Sequence, residues 1–149
     1  MRSNHFEIFS TSIAQLIKAV QLLKSRKMAQ YGLKGTNALC LCQIYESENG
    51  LSAGELSTLG EIDKAQVSRC MAELSEKGFV YRDDEEGRRY KQKYRLTEKG
   101  ESAAKDIQST ARRIQDAVGK DITDDELDNF YCTLYKLCEN FSELLEEEV

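Results

Sequence analysis

The sequence predicts a mainly α-helical fold that contains one small β-hairpin. Three observations support this prediction: long amphipathic segments at both chain ends, a series of helix-capping motifs between them, and a short stretch after Gly78 where apolar and polar residues alternate. The chain has 149 residues and no proline, which suits long uninterrupted helices. This length fits one compact domain, or a small domain with an oligomerisation arm.

Both ends of the chain predict long helices with one apolar face. From about residue 6 to residue 30, apolar side chains recur at steps of mostly three and four: Phe6, Phe9, Ile13, Leu16, Ile17, Val20 and Leu23. The last segment repeats the pattern with Leu127, Phe130, Tyr131, Leu134, Leu137, Cys138, Phe141, Leu144 and Leu145. The first helix would be about 37 Å long, longer than a small domain is wide, so it needs a partner. We therefore expect residues 1–34 and 100–149 to form a helical dimerisation region, with an intramolecular bundle as the alternative.

The middle of the chain predicts three short helices. The second begins with a capping box, in which Ser52 and Glu55 satisfy each other's backbone N–H groups. Asp63 caps the third, which ends at Gly78 and whose core face is Val67, Cys70, Met71 and Leu74. The first, from about residue 36 to residue 46, is expected to present these apolar side chains: Leu39, Cys42 and Tyr45. The last two helices, joined by a tight turn that follows Gly60, form a helix-turn-helix.

After Gly78 the hydrophobic period changes from that of a helix to that of a strand. Residues 79–82 and 90–96 predict two strands, separated by an acidic turn that contains Gly87. On the second strand one face carries Tyr90, Gln92, Tyr94 and Leu96, and the other carries Lys91, Lys93 and Arg95. A helix-turn-helix followed by a charged hairpin is a winged helix, so residues 35–99 predict a winged helix-turn-helix DNA-binding domain.

Two more helices are predicted after the hairpin. Thr97 caps the first of them, and Gly119 ends it. Thr123 and Glu126 form a second capping box, which begins the terminal helix.

Charge is distributed unevenly along the chain. The net charge is -5 at pH 7, but residues 121–149 alone hold ten carboxylates against one lysine. Residues 87–99, in contrast, hold one carboxylate and six cations: Arg88, Arg89, Lys91, Lys93, Arg95 and Lys99. A cationic stripe in an otherwise acidic protein is typical of a nucleic-acid contact.

The winged helix predicts how double-stranded DNA would be bound. The second helix of a helix-turn-helix enters the major groove, and a basic wing contacts phosphates or the minor groove. The candidates are Lys64, Gln66, Ser68 and Arg69 on the helix, and Arg88, Arg89, Lys91 and Lys93 on the wing. For each helix residue the alternative is an ordinary solvated position. For the whole protein it is a winged-helix protein-interaction module, which would not be retained on heparin or random duplex at low salt.

Four motifs in a fixed order carry a family resemblance. They are LSxxEL at residues 51–56, DKxxVSR at 63–69, LxxKGFVxR at 74–82 and RLTEKG at 95–100. In these motifs the chain resembles the MarR (multiple antibiotic resistance regulator) family of bacterial transcription regulators. The resemblance implies a homodimer with interlocked terminal helices, and two winged lobes that bind a pseudo-palindromic operator. It also implies repression that a small ligand or an oxidant relieves.

The resemblance also bears on the wing tip and on an effector site. The family's wing commonly has an aspartate close before an Arg-Arg pair and a small residue after it, whereas here Asp84 stands four residues before Arg88 and Tyr90 follows Arg89.

The family's ligands tend to bind between the dimer helices and the winged domain. There Phe9, Tyr31 and Tyr45 could line a pocket, the alternative being plain core or interface aromatics.

Other classes of function have little support in the sequence. A single histidine and the absence of any nucleotide loop or catalytic triad argue against an enzyme, a metal site or a cofactor. The odd count of five cysteines, the lack of a signal peptide and the absence of an apolar run near 18 residues predict a cytoplasmic protein without membrane contact. Cys42, Cys70 and Cys138 are expected on apolar faces as inert core residues. A thiol-based redox sensor that uses Cys40 or Cys42 remains the alternative.

Overall fold

The computed structural model describes residues 4–83 and 92–148. The element order is α1 (His5–Ala29), α2 (Asn37–Glu46), α3 (Ala53–Gly60), α4 (Lys64–Glu76), β1 (Val80–Asp83), β2 (Lys93–Leu96), α5 (Glu98–Val118) and α6 (Asp124–Glu147). The chain divides into two units, Met1–Thr110 and Ala111–Val149. The mainly α-helical fold with a small β-hairpin is confirmed. The predicted functional division into residues 35–99 and the two flanking regions stays a prediction.

The hydrophobic core lies in the first unit, where α2, α3, α4 and the hairpin pack together. Its largest fully buried apolar side chains are Phe79, Met28, Leu41, Leu56, Met71, Leu74 and Val67. Helix α5 adds Ala103 and Ile107 to the same cluster. Each large apolar side chain that is fully buried contributes about 1.5–3 kcal/mol to the free energy of unfolding. The core therefore holds the face of α4 that carries Val67, Met71 and Leu74, and leaves the opposite face in solvent.

The two strands form an antiparallel sheet that runs from the pair Val80 and Leu96 to the pair Asp83 and Lys93. A bridge between Leu51 and Tyr94 adds a third short segment, which the sequence analysis did not predict. Two backbone hydrogen bonds make this bridge, from Leu51 N to Tyr94 O and from Tyr94 N to Leu51 O. Gly50 precedes it with a φ of 75°, and a Cβ there would lie 2.5 Å from Tyr94 O. Glycine is thus required for the approach of the two segments.

Helix boundaries agree closely with the capping motifs, but the buried face of α2 does not agree with its prediction. The structure buries Asn37, Ala38, Cys40, Leu41 and Ile44. Leu39 is exposed, and Cys42 and Tyr45 are half-buried. The expected face of Leu39, Cys42 and Tyr45 is therefore wrong. The helix is apolar on nearly every side, so tertiary packing and not periodicity selects its inner face.

The strand limits also differ slightly from the prediction. The first strand begins at Val80 and not at Phe79, whose side chain is buried in the core. The second begins at Lys93, where residue 90 was expected, and residues 90 and 91 lie outside the described residues. Tyr94 is buried and Lys93 and Arg95 are half-exposed, as the predicted alternation requires.

Helices α1 and α6 expose most of their apolar side chains. In α1 only Met28 is buried among the described residues, and Phe6, Ile8, Leu16, Ile17, Val20, Leu22 and Leu23 are exposed. Helix α6 has no buried residue in its described part, and it exposes Phe130, Tyr131, Tyr135, Phe141, Leu144 and Leu145. Cys138, expected on an inert apolar face, is also exposed. Such faces are unusual on a monomeric protein and indicate interaction surfaces.

Helix α1 also meets the length and composition expected of a membrane span, with a mean hydropathy of 1.2 over its most apolar window. No segment of this kind was predicted from the sequence. The window passes because its polar residues are mostly uncharged serine, threonine and glutamine. One such helix near the N-terminus is weak evidence for a membrane location.

Asp63 provides the cap of α4, and its removal is expected to lower the free energy of unfolding. Its Oδ1 atom accepts a hydrogen bond from the backbone N–H of Gln66 at 2.7 Å. Asp63→Ala should cost about 1 kcal/mol in urea unfolding at fixed protein concentration, because a helix N–H loses its partner. Asp63→Asn is the matched control and should retain most of the stability, since asparagine caps equally well. Equal losses in both variants would show that the cap is not the source of the effect.

Candidate nucleic-acid interface

Helix α4 presents a polar, partly cationic face to solvent. Lys64, Ser68 and Arg69 are exposed and Gln66 is half-buried. All four were predicted as DNA contacts, and they lie in the first two turns of the helix. Ala65 and Ala72 are exposed on the same helix. Their small side chains allow the backbone to approach a neighbouring surface closely. These alanines were not among the predicted DNA contacts, although the sequence shows them on the same helix.

The turn between α3 and α4 holds the two helices at a fixed angle. The Ser57 hydroxyl donates to the Ile62 carbonyl at 2.6 Å, and the Ile62 N–H donates to the Ser57 carbonyl. Glu61 takes the left-handed conformation at φ 49°, where the sequence analysis expected Gly60 to close the helix. Gly60 itself lies within α3, and a Cβ there would lie 3.1 Å from Leu39. This glycine therefore allows close packing of α3 on α2.

Polar contacts also fix α4 against α2. Asn37, which is fully buried, donates from Nδ2 to Glu73 Oε2 at 2.8 Å. Lys77 forms an ion pair with Glu73 at 3.2 Å and also donates to the Gly32 carbonyl. The hydrogen bond from Asn37 and the nearby Lys77 lower the pKa of Glu73. This role of Asn37 and Glu73 was not predicted, since their contact joins residues far apart in the chain.

The arginines on the described part of the hairpin are engaged within it. Arg82 donates from Nε to the Tyr94 hydroxyl at 3.2 Å, and its guanidinium lies 5.5 Å from the centre of the Tyr94 ring. Arg82 also donates to Gln92 at 3.1 Å. Arg95 pairs with Asp83 on the adjacent strand. These contacts stiffen the base of the hairpin.

The four predicted wing contacts are only partly described. Lys93 lies 3.9 Å from Glu55 of α3, and its side chain is 39% exposed. Glu55 has a lowered pKa, mainly because the Ser52 N–H donates to it and also because Lys93 is close. Part of the Lys93 charge is therefore balanced within the protein. Arg88, Arg89 and Lys91 lie outside the described residues.

The three residues proposed for an effector pocket lie in different surroundings. The Tyr31 hydroxyl donates to Asp106, which also pairs with Lys27 at 2.6 Å. Burial, with help from Asp106, raises the pKa of Tyr31 to about 12, so this phenol stays protonated at neutral pH. Phe9 lies on α1 beside Phe6, at 6.4 Å between ring centres.

Tyr45 instead lines a cleft of about 270 Å³ behind the hairpin. The cleft is bounded by the end of α2, the sheet and the start of α5, and its lining includes Tyr81, Arg95 and Glu101. Phe9 and Tyr31 are not part of it. In the described part of the chain, no group of three or more histidine, cysteine or acidic residues is placed to hold a metal ion.

Comparison with known proteins relates the chain to transcription regulators. The family model described as "MarR family" matches residues 31–89, the segment that contains the helix-turn-helix. The HTH-type transcriptional regulator BilQ of Clostridioides difficile is 26% identical over 144 residues, which is 96% of this chain and 95% of that protein. In these residues the chain is similar to the MarR family. This family and this relative indicate a regulator and not an enzyme.

Solved MarR structures share the fold over nearly the whole chain. A MarR regulator from Methanosarcina mazei is 25% identical with a TM-score of 0.76, and the match covers 93% of this chain and 99% of that one. A putative MarR regulator from Listeria monocytogenes in complex with 26mer DNA is 20% identical with a TM-score of 0.79, covering 89% and 88%. The S. aureus MepR–DNA complex is 15% identical with a TM-score of 0.81, covering 89% and 97%. These matches show that the chain has the same fold as the three solved structures.

Proposed function

We propose that this protein is a dimeric, cytoplasmic transcription regulator of the MarR family that binds double-stranded DNA. The observation that carries the proposal is the division of α4 into two faces. Val67, Met71 and Leu74 are buried, whereas Lys64, Ser68 and Arg69 are free to contact a ligand. Lysine and arginine suit guanine or phosphate, and serine suits several acceptors and donors. Two neighbours of the same fold were solved with DNA, which supports this use of the surface.

Dimerisation would give both terminal helices a partner. The exposed apolar side chains of α1 and α6 are expected to be buried in an interface. The two helices also carry opposite net charge. Helix α1 has four lysines and arginines against Glu7, whereas α6 has eight carboxylates against Lys136. This complementarity favours association of two copies over binding of an unrelated apolar surface. A symmetric dimer would place its two α4 helices on half-sites about 10 bp apart.

The similarity to the family and the cleft support a finer regulatory role. We infer repression of a pseudo-palindromic operator, relieved by a small-molecule effector. The cleft at Tyr45 could hold such a molecule, and residues of both strands line it. A change in the cleft would reach the wing through Tyr81 and Arg95, which lie on the two strands.

Single substitutions on α4 test the proposal. Lys64→Ala and Arg69→Ala should each weaken binding to duplexes selected from a random library by about 1–3 kcal/mol, measured by fluorescence anisotropy. Lys105→Ala, on an exposed part of α5, removes the same charge and should leave the affinity nearly unchanged. Arg88→Ala combined with Arg89→Ala should reduce the salt dependence by about one phosphate-equivalent for each arginine that neutralises a phosphate. An equal effect of Lys105→Ala would indicate non-specific attraction, and no retention on any duplex at low salt would favour the protein-interaction module.

A further inference from the structure

The cleft at Tyr45 carries groups of opposite charge in its lining. Arg95 of β2 and Glu101 of α5 both line it, and its volume is about 270 Å³. That volume lies just below the range of about 300–1,000 Å³ that is typical of pockets for drug-sized ligands. The cleft therefore suits a small molecule that can satisfy a cation and an anion at once.

Arg95 offers hydrogen-bond donors to this cleft. Its Nε atom donates to Asp83 on the adjacent strand, which leaves the Nη groups of the guanidinium to donate elsewhere. A Cβ at Gly50, which also lines the cleft, would lie 3.0 Å from Arg95 Cγ, so glycine leaves room for the arginine there. Paired N–H groups of a guanidinium match the two oxygens of a carboxylate. Arg95 therefore suits the carboxylate of a ligand.

Ser47 and Glu101 offer hydrogen-bond acceptors to the same cleft. The Ser47 hydroxyl donates to the Ile44 carbonyl at 2.6 Å, so its oxygen is left to accept. Glu101 pairs with Lys105 at 2.9 Å, and both side chains are more than half exposed, so water weakens this ion pair. Glu101, and to a smaller extent Tyr45, raises the pKa of Lys105, so Tyr45 lies close to this carboxylate. Acceptors of this kind suit the ammonium group of a ligand.

The remaining side chains of the lining suit an aromatic group. They are two tyrosines and two aliphatic residues: Tyr45, Tyr81, Ile44 and Leu96. Aromatic rings pack favourably in offset or edge-to-face arrangements, and they bury a large apolar area for their size. An aromatic side chain could therefore contact these four residues while the charged groups of the same molecule reach the polar part of the lining.

We propose that the cleft binds a free α-amino acid with an aromatic side chain. Its carboxylate accepts from Arg95, and its ammonium donates to Glu101 and Ser47. A molecule with only one of the two charged groups would satisfy only part of the polar lining and bind more weakly. The binding itself needs no DNA, whereas the role of this amino acid as an effector rests on the proposed function.

Isothermal titration calorimetry of the full-length protein without DNA tests the class of ligand. The probes are L-phenylalanine, phenethylamine, which lacks the carboxylate, and 3-phenylpropionate, which lacks the ammonium. We expect L-phenylalanine to bind and each analogue to bind about tenfold more weakly. An analogue that binds as tightly as L-phenylalanine, or no binding of L-phenylalanine up to about 10 mM, would overturn the proposal.

Substitutions in the lining locate the site. Glu101→Gln should weaken the binding of L-phenylalanine about fivefold, a modest effect because this side chain is exposed. Glu98→Gln is the matched control, since Glu98 lies in the same first turn of α5, is exposed and does not line the cleft. Arg95→Lys keeps the charge without the paired N–H groups and should weaken binding about tenfold. Equal Kd values for Glu101→Gln and Glu98→Gln would overturn the placement, even if Arg95→Lys failed to fold.

The proposed ligand and the proposed DNA binding can fail separately, because calorimetry without DNA and fluorescence anisotropy with the selected duplex are independent measurements. A protein that binds L-phenylalanine and no duplex would support the amino-acid site and contradict the DNA-binding function. A protein that binds a duplex and not L-phenylalanine would overturn the amino-acid site alone.

Discussion

Replacing Gly100 with alanine should lower the free energy of unfolding by about 3 kcal/mol, a large effect for one methyl group. Gly100 lies in the first turn of α5, where the helix crosses the end of the hairpin. A Cβ at this position would lie 1.9 Å from the carbonyl oxygen of Phe79 and 2.9 Å from its carbon. Both are backbone atoms, so no side chain can rotate to make room. The helix must move away from the core.

That movement would break the interactions that begin α5. The Phe79 carbonyl accepts hydrogen bonds from both the backbone N–H and the hydroxyl of Thr97. Thr97 in turn accepts from the Gly100 N–H at 3.1 Å, which confirms it as the cap predicted from the sequence. The clash therefore costs a helix cap as well as packing against Phe79, a fully buried side chain. Helix propensity alone predicts the opposite sign, since alanine is favoured over glycine by about 1 kcal/mol in a helix.

Gly54→Ala is the matched control for this prediction. Gly54 is also in the first turn of a helix, α3, but it is exposed and a Cβ there would be 3.9 Å from its nearest neighbour, Ser52 Oγ. Chemical unfolding at one protein concentration should show no loss in this variant. If Gly100→Ala were as stable as Gly54→Ala, α5 would not lie against Phe79 as the structure describes.

Local chemistry explains why the helix starts could be predicted. The side chains of Ser52, Asp63 and Thr123 each accept a backbone hydrogen bond from the residue three positions later, and these hydrogen bonds need no distant partner. The exposed face of α4 could likewise be predicted, because a strong period leaves Lys64 and Arg69 opposite the apolar residues. Short-range patterns thus identified the elements and the main candidates for DNA contact.

Contacts between distant residues could not be predicted in this way. Examples are the bridge from Leu51 to Tyr94 and the hydrogen bond from Asn37 to Glu73. Each depends on how the helices pack, and one sequence contains no direct signal of that packing. The polar contact that fixes α4 against α2 therefore emerged only from the structure.

The second large effect concerns self-association through α1. Leu16 is 54% exposed and Val20 is 48% exposed, one helical turn apart on the same face. The proposed dimer covers both in each copy. Replacing them with aspartate removes four apolar side chains from the interface, at about 1 kcal/mol each, and so raises the dimer Kd by about 1,000-fold. Sedimentation should then report a species of 17.0 kDa instead of one of twice that mass.

The control for this prediction places the same two charges on another face of α1. Thr11 and Gln15 have the spacing of Leu16 and Val20, and both are exposed. Thr11 and Gln15 lie on the side of α1 opposite Phe9, Leu16 and Val20. Thr11→Asp combined with Gln15→Asp should therefore leave the dimer intact. If the Leu16 and Val20 variant also stayed dimeric, α1 would not form the dimer interface, and its exposed apolar face would have to bind a different partner. If it became monomeric, it should keep its helical circular dichroism and lose tight binding to a duplex with two half-sites, because binding of one lobe no longer brings the second to its site.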